Sequence, residues 1–589
     1  MCIRRPIASQ SYCHAAIFTA LQVNHYRNTF LLRIGGTKTS AAANVEDQQP
    51  LQLPLELLTL IFSELQQLDR SPTPSAHARS WLSVTWVCRY WREVALSTPA
   101  LWSSICSGSA CKPVERAWVE TALARSGRMP LDIDVIISDY GERAPSFLAL
   151  MFVHAQNIRV LRLGLATYSP CRGSMQRFFE LMAPTRLSMP FLEELNLRDS
   201  VWGFADFHRP YLSHLTREHV PRLRILSLTD VNFPWSSSLY SSLSYLSLDA
   251  IPSPPTIMEF LQILRACPTL RKLRVNDALP EDDLVEQPLP RDTSIVALPC
   301  LKSMYLAGEY AVLAYILDLL EVPYSCDASI EYTNTIESTQ PVGLISAVLP
   351  RPHAFWEVIL YADYLALQYE SMEGYGKSFA SLEIGTNGGQ DWLIHIDSER
   401  NSDANMDPSS WQELLHTFRS APLTRVYIFP VDPIRSDMWV AFFHQFPLLH
   451  TIELGPERGF LYKENRKEYM RHGIKPFFHA LCSSGRDSES EDIYVPNLRV
   501  LAMNILVVDT DIAAGILLLL EKRKAMCKPV ERLEFRDCVC QVNIGREEFV
   551  SQLKHAGVAH VVTDGGLGVV HNNTFIGSQD ASMCETSTE

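Results

Sequence analysis

A six-residue unit of the form apolar-x-x-apolar-x-apolar returns eleven times between Ile158 and Phe535. It reads IRVLRL from Ile158, LEELNL from Leu192, LRILSL from Leu223, LSYLSL from Leu243, LRKLRV from Leu270 and LKSMYL from Leu301. FASLEI from Phe379, LTRVYI from Leu423, LHTIEL from Leu449, LRVLAM from Leu498 and VERLEF from Val530 follow. The bare pattern is common in a chain that is 47% hydrophobic, but its context is not. Six copies begin two residues after a proline, at Pro190, Pro221, Pro268, Pro299, Pro447 and Pro496. With 36 prolines in 589 residues, chance would supply about one such coincidence. Side chains alternate along a strand, so the apolar positions of each unit turn to one side and the residues between them to the other. Helical segments separate several copies, among them TIMEFLQILRAC before Pro268 and EYAVLAYILDLL after the copy at Leu301.

Strand, turn, helix, proline, strand is the grammar of a leucine-rich solenoid. The expected fold is therefore α/β overall, with an irregular leucine-rich-repeat-type α/β solenoid over 129–562. Its units are longer and less regular than the usual repeat, and the Asn/Cys position is not regularly filled. No convincing copy falls within 309–378, where the array is expected to be interrupted. A non-repetitive α/β domain with several parallel strands is the alternative that the pattern leaves open.

A different pattern precedes the array. In LPLELLTLIFSEL, residues 53–65, Leu57, Leu58, Ile61, Phe62 and Leu65 form one apolar stripe at helical spacing. Pro54 suits a first helical residue and Glu56 the positive helix end. After a polar, proline-bearing loop, SWLSVTWVCRYWREVALSTPALWSSI at 80–105 places Trp81, Val84, Cys88, Trp91 and Ala95 on a second stripe, which the STP at Ser97–Pro99 ends. Periodicity alone says only that this is an amphipathic helical module.

The two blocks, LPLELLTLIF and VCRYWREVALSTPALWSSI, resemble the F-box in the F-box-like form common in mushroom-type fungal proteins, over 51–106. The long proline-rich loop between the blocks departs from that pattern and leaves the helix spacing open. The resemblance implies a small all-α three-helix module that docks on the Skp-type adaptor of a cullin-RING (SCF) ubiquitin ligase. Leu53, Pro54, Leu57, Ile61, Val84, Cys88 and Trp91 would belong to that contact or to the packing behind it. The chain would then be a substrate receptor, with no catalytic residue of its own. Its partners would be the adaptor, a cullin through it, and a protein target. A scaffold that uses the module without ubiquitination is the alternative, and an unrecognised enzyme a further one.

On this reading the target is met by the outward positions of the repeat strands. Stacking the copies lines up Asn196, Ser227, Ser247, Arg274 and Tyr305 in one row, with Glu194, Ile225, Tyr245, Lys272 and Ser303 beside it. Tyr245, Lys272, Arg274 and Tyr305, with Asn196, Ser227 and Ser247, are the expected target-binding residues. Recognition by the loops stays open.

Charge and motif content narrow the remaining classes. A net charge of −14 argues against a general nucleic-acid binder, which needs a basic surface. The most apolar stretch, ILVVDTDIAAGILLLLEK, carries Asp509 and Asp511 and does not read as a membrane span. The 14 cysteines show no zinc spacing and are expected as reduced thiols in the cytoplasm or nucleus. SMEGYGKS at 371–378 resembles a phosphate-cradling loop, but Ser371 replaces its first glycine and a strand-like run follows where a helix is needed. Asp132 with Asp134, and Asp509 with Asp511, lie two apart, which on a strand merely puts both carboxylates on one face. No cofactor, metal or catalytic site is expected. Residues 1–50 and 563–589 read as disordered tails and 107–128 as a helical linker. The first 45 residues hold no acid before Glu46, a composition that also suits a mitochondrial presequence.

Overall fold

The computed structural model describes residues 53–68, 79–107, 113–137, 143–165, 188–199, 215–231, 235, 238–280, 295–323, 325–332, 356–372, 377–386, 391–400, 408–429, 434–455, 466–482, 494–504, 507–536, 538–540, 546–564, 568–571 and 574–575. The expectations for 1–50, and for the turn at 373–376, lie outside them. The chain divides into two compact units, Met1–Leu58 and Thr59–Glu589. Leu53 and Pro54 of the first lead into helix α1 (Leu55–Leu68), whose residues from Thr59 on belong to the second. The Pro54 carbonyl accepts the first helical bond from the Leu58 amide at 3.1 Å, so the proline stands just before the helix.

The second unit is built on parallel strands. They are β1 (Ser104–Ser107), β2 (Leu131–Ile137), β3 (Ile158–Leu165), β4 (Glu194–Asp199), β5 (Ile225–Thr229), β6 (Tyr245–Asp249), β7 (Lys272–Asn276), β8 (Ser303–Gly308) and β9 (Asp327–Tyr332). Each pairs in parallel with the next in chain order. The order then changes for β10 (Tyr364–Met372), β11 (Lys377–Thr386) and β12 (Asp391–Arg400). Here β9 pairs with β12, β12 with β11 and β11 with β10. From β10 the parallel series resumes through β13 (Arg425–Phe429), β14 (Thr451–Leu454), β15 (Val500–Asn504), β16 (Arg532–Arg536) and β17 (His560–Asp564).

Ten of the eleven sequence units lie on these parallel strands. The copy at Phe379 does not: it lies on β11, antiparallel to both neighbours. The reason is connection length. Only four residues separate Met372 from Lys377, and four separate Thr386 from Asp391, whereas a parallel crossover needs a dozen or more. The expected interruption at 309–378 is also narrower than the pattern implied, because β9 continues the parallel series through DASIEY. Strand β17 extends to Asp564, past the expected boundary at 562, and Gly568–His571 pairs with Thr574–Phe575 beyond it.

Apolar residues fill one side of this sheet. Leu195, Leu197, Leu226, Leu228, Leu246, Leu248, Leu273 and Val275 are all buried. The bend after the strands repeats: Asp230, Ala250 and Asp277 all adopt positive φ directly after β5, β6 and β7. The Asp230 amide donates to the Asp249 carbonyl and the Ala250 amide to that of Asn276, so each bend is tied to the next.

The other α-helices among the described residues are α2 (Arg89–Ser97), α3 (Pro113–Ser126), α4 (Arg143–Phe152), α5 (Ile257–Arg265), α6 (Tyr310–Asp318), α7 (Trp356–Tyr361), α8 (Pro408–Phe418), α9 (Ser436–Gln445), α10 (Arg466–Cys482), α11 (Thr510–Ala525) and α12 (Arg546–His555). Thr256 and Glu259 close a capping box on α5, satisfying two otherwise orphaned donors. Asp509 and Asp511 are not on a strand: Asp509 caps α11 through the Ile512 amide at 2.9 Å, and Asp511 pairs with Lys475. A carboxylate just before an apolar run is a helix start, and that local bond decides the matter. No described helix is long and apolar enough to cross a membrane.

Candidate interaction surfaces

The helical module presents a mixed surface. In the first unit Leu53, Pro54, Leu55 and Leu57 are exposed and Leu58 is buried. In the second, Leu60 and Ile61 on α1 are exposed, Leu60 by 59%, while Phe62 is buried and meets Trp91 edge-on at 5.3 Å. Gln66 Nε2 donates to the Leu101 carbonyl at 2.6 Å, which ties the end of α1 to the turn before β1.

The block at 80–105 is not one helix, as the sequence stripe implied. A 3₁₀ helix at Ser80–Trp86 is followed by Cys88 in extended conformation, whose Sγ accepts the Trp91 amide and so caps α2. The break leaves Cys88 exposed instead of aligning it with Trp81 and Val84, which are buried. It also turns Trp86 and Val87 into solvent, Trp86 by 79%. Of the expected contact residues, Leu53, Pro54, Leu57, Ile61 and Cys88 are thus exposed, Val84 packs inside and Trp91 is half-buried. Leu55, Leu60, Trp86 and Val87 are further exposed apolar side chains of the module outside the expected contact set.

Behind this surface is a tryptophan cluster. Trp102 meets Trp81 at 5.4 Å and Trp118 of α3 at 5.6 Å, and its Nε1 donates to the Ala95 carbonyl at 2.8 Å. Arg79 lies over Trp118 and pairs with Glu115. Helix α3, within the expected linker 107–128, is therefore packed on the module. Moreover β1 pairs with β2, so the end of the module is also the first strand of the sheet.

The outward sheet face carries the second surface. Asn196, Ser227, Ser247, Arg274 and Tyr305 are in direct register across β4–β8, as are Glu194, Ile225, Tyr245, Lys272 and Ser303. Lys272 and Arg274 are exposed; Asn196, Ser227, Tyr245 and Tyr305 are half-buried. Ser247 was expected to face solvent but is buried, because a short side chain between Tyr245, Asp249 and Arg274 is overshadowed by its neighbours. The Arg274 guanidinium lies over the Tyr305 ring, and the Tyr305 hydroxyl donates to Glu331 at 2.7 Å.

Charge on this face is organised in ladders. On β2–β4, Arg159 makes a two-pronged contact with Asp132 at 3.0 and 2.8 Å, and Arg162 another with Glu194 at 2.6 and 2.9 Å. Burial pushes the Asp134 carboxyl up, with Arg162 opposing from 3.7 Å. On β13–β16, Arg425 and Arg536 both pair with Glu453, and Arg532 and Arg536 with Glu534, the two glutamates being nearly buried. Among the described residues no group of three or more His, Cys, Asp or Glu could hold a metal ion.

Residues 50–107 match the family model described as F-box-like, nearly the same span that carries the sequence resemblance. No curated protein matches the chain. Among solved structures, the crystal structure of the Rad7 and Elc1 complex in yeast is similar over 78% of this chain and 98% of that one, at 11% identity and a TM-score of 0.23. The GsuK channel is similar over 45% of this chain and 50% of that one, at 12% identity and a TM-score of 0.11. Likenesses this slight leave the architecture to rest on the strand pairing itself.

Proposed function

We propose that this chain is the substrate-recognition subunit of an SCF-type cullin-RING ubiquitin ligase. Residues 50–107 dock on a Skp-type adaptor, and the strand array, a leucine-rich-repeat-type solenoid, holds a protein target. The observation that carries the reading is the F-box-like match on a module whose first helix leaves Leu60 and Ile61 in solvent. A helical unit this small with large apolar side chains turned outward is suited to a partner. The solenoid reading is supported by strands that pair in chain order, in one-to-one register, with the same positive-φ bend after β5, β6 and β7.

In this role the chain is not an enzyme and needs no cofactor. It accelerates ubiquitin transfer by proximity, bringing a target lysine and activated ubiquitin into one complex. The continuity of β1 with β2 supports a module held fixed against the array, which is what a receptor needs to present its target in a defined position. The reading puts the protein in the cytoplasm or nucleus.

Affinity purification of the full chain tests it. Adaptor and cullin should be recovered together, and Leu60→Glu with Ile61→Glu should weaken adaptor binding by about 2–4 kcal/mol. Adaptor without cullin would point to a scaffold. Undiminished capture by the folded double variant, or no adaptor at all, would refute the assignment.

A further inference from the structure

Among the described residues, three stretches of the outward sheet face carry arginines, and in the middle one the cations are not ion-paired with carboxylates. The arginines of β2–β4 and of β13–β16 are paired with Asp132, Glu194, Glu453 and Glu534. On β5–β8 and the turns that enter them, Arg224, Arg271, Lys272, Arg274 and Lys302 are exposed. None of these five makes an ion pair among the described residues. The acids nearby are otherwise placed. Asp249 accepts from Asn276 Nδ2 at 2.6 Å and Glu331 from the Tyr305 hydroxyl, Asp277 is exposed in the bend after β7 on the Tyr305 side, and Glu193, just before β4, and Asp327, at the start of β9, are exposed at the two flanks.

Backbone bonds fix the row. The Arg224 carbonyl accepts from the Ser244 amide, that of Ser244 from Arg271, and that of Arg271 from Lys302, so these four residues stand side by side across the strand entrances. At roughly 4.8 Å per strand the row is about 14 Å wide, the length of about four extended residues. Stacking on Tyr305 fixes the Arg274 guanidinium while leaving N–H groups for a carboxylate fork. We infer that this basic row binds a short, acidic, extended segment of the target protein. The inference rests on reading the chain as a receptor for a protein target. A nucleic acid fits less well, because a long polyanion would be repelled by the rest of a chain of net charge −14, whereas a short acidic peptide meets only the local field.

Fluorescence anisotropy of the full chain with a fluorescein-labelled oligoglutamate peptide tests this, with oligolysine and single-stranded oligouridylate as comparison probes. The oligoglutamate should bind, more weakly as salt is raised, and Lys272→Glu with Arg274→Glu should lower its affinity at least about tenfold. Arg419→Glu with Lys528→Glu reverses two exposed charges away from this face and should leave binding unchanged. Equal losses in both folded double variants, no binding of oligoglutamate, or tighter binding of oligouridylate would overturn the inference. Adaptor capture by the same proteins separates it from the receptor reading. Peptide binding without adaptor capture by the unmodified chain defeats only the receptor; adaptor capture without peptide binding defeats only the acidic-segment site.

Discussion

The Arg274 guanidinium sits 4.3 Å from the centre of the Tyr305 ring, one strand away and in direct register with it. Tyr305 in turn reaches Glu331 on the following strand, so a cation, a ring and a carboxylate from β7, β8 and β9 form one chain across the sheet. Such a chain orients Arg274 through the ring, while Glu331 bonds the phenol and makes no ion pair with the guanidinium among the described residues.

The phenol makes this arrangement measurable. Burial, and then the hydrogen bond to Glu331, push the ionisation of Tyr305 well above the ordinary tyrosine range. With the folded pKa above the unfolded value near 10, its contribution to stability is complete below about pH 10 and is lost as pH rises through the folded pKa. Tyr305→Phe should therefore cost about 1 kcal/mol at neutral pH and make the difference from wild type shrink at strongly alkaline pH. Urea unfolding of both proteins across that range checks it; a constant difference would mean that the hydroxyl does not act through its proton.

Two neighbouring tryptophans offer a sharper comparison. Trp411 of α8 and Trp439 of α9 are both fully buried, 5.4 Å apart and edge to face. Trp411 Nε1 donates to the Met438 carbonyl at 2.7 Å, whereas the buried Trp439 Nε1 has no partner among the described residues. Trp411→Phe thus loses a bond as well as volume and should cost about 2–3 kcal/mol. Trp439→Phe removes an unsatisfied donor along with the same volume and should cost at least about 1 kcal/mol less. Equal shifts in the thermal midpoint would contradict this account.

Much of the sheet was legible because period-two alternation carries both burial and register. Leu226 and Leu246 align with Ser227 and Ser247 beside them for the same reason that the hexamers align in the sequence. What the hexamer cannot encode is connection length, which is why the Phe379 copy belongs to an antiparallel pair. Strand β2 does not match the hexamer because LDIDVII alternates apolar residues with aspartates instead of following the leucine spacing. In the candidate sites, the helical stripe runs straight through Cys88 and hides the break that exposes Trp86. The pairing of Glu453 with Arg536 joins residues 83 apart, a relation set by strand order alone.

Gly455, after β14, is one position where backbone freedom is required. Its φ is +113°, and a Cβ there would lie 1.9 Å from the Asn504 carbonyl oxygen. Gly557 has a similar φ of +108°, but a Cβ would meet only the flexible Lys524 side chain, at 3.0 Å. Gly455→Ala should accordingly be the more damaging, by at least about 2 kcal/mol, since backbone and not a side chain must move. Hydrogen exchange at β14 and β15 reports it; equal protection in the two variants would show that the Asn504 contact yields easily.

Arg523 of α11 is buried to 1% exposure and spends its guanidinium on backbone carbonyls. Nε donates to Lys528, Nη1 to Val495, and Nη2 to Pro496 and Leu498, at 3.1 to 3.3 Å, so one side chain ties the end of the helix to the turn that enters β15. Burial lowers its pKa to about 10, which leaves it charged at neutral pH. Arg523→Met would strand these acceptors and should cost about 3 kcal/mol, after allowing for the relief of no longer burying a charge. Arg523→Lys should rescue little, because a point-like ammonium cannot satisfy a fork of carbonyls and is depressed further by burial. For that variant the unfolded chain binds the proton more tightly than the folded one, so its stability relative to wild type should rise as pH goes from about 6 to 9. Hydrogen exchange of residues 494–504 at the two pH values measures this locally. Wild-type protection in Arg523→Met would show that solvent replaces the guanidinium at no cost, and that the tie does not hold the turn.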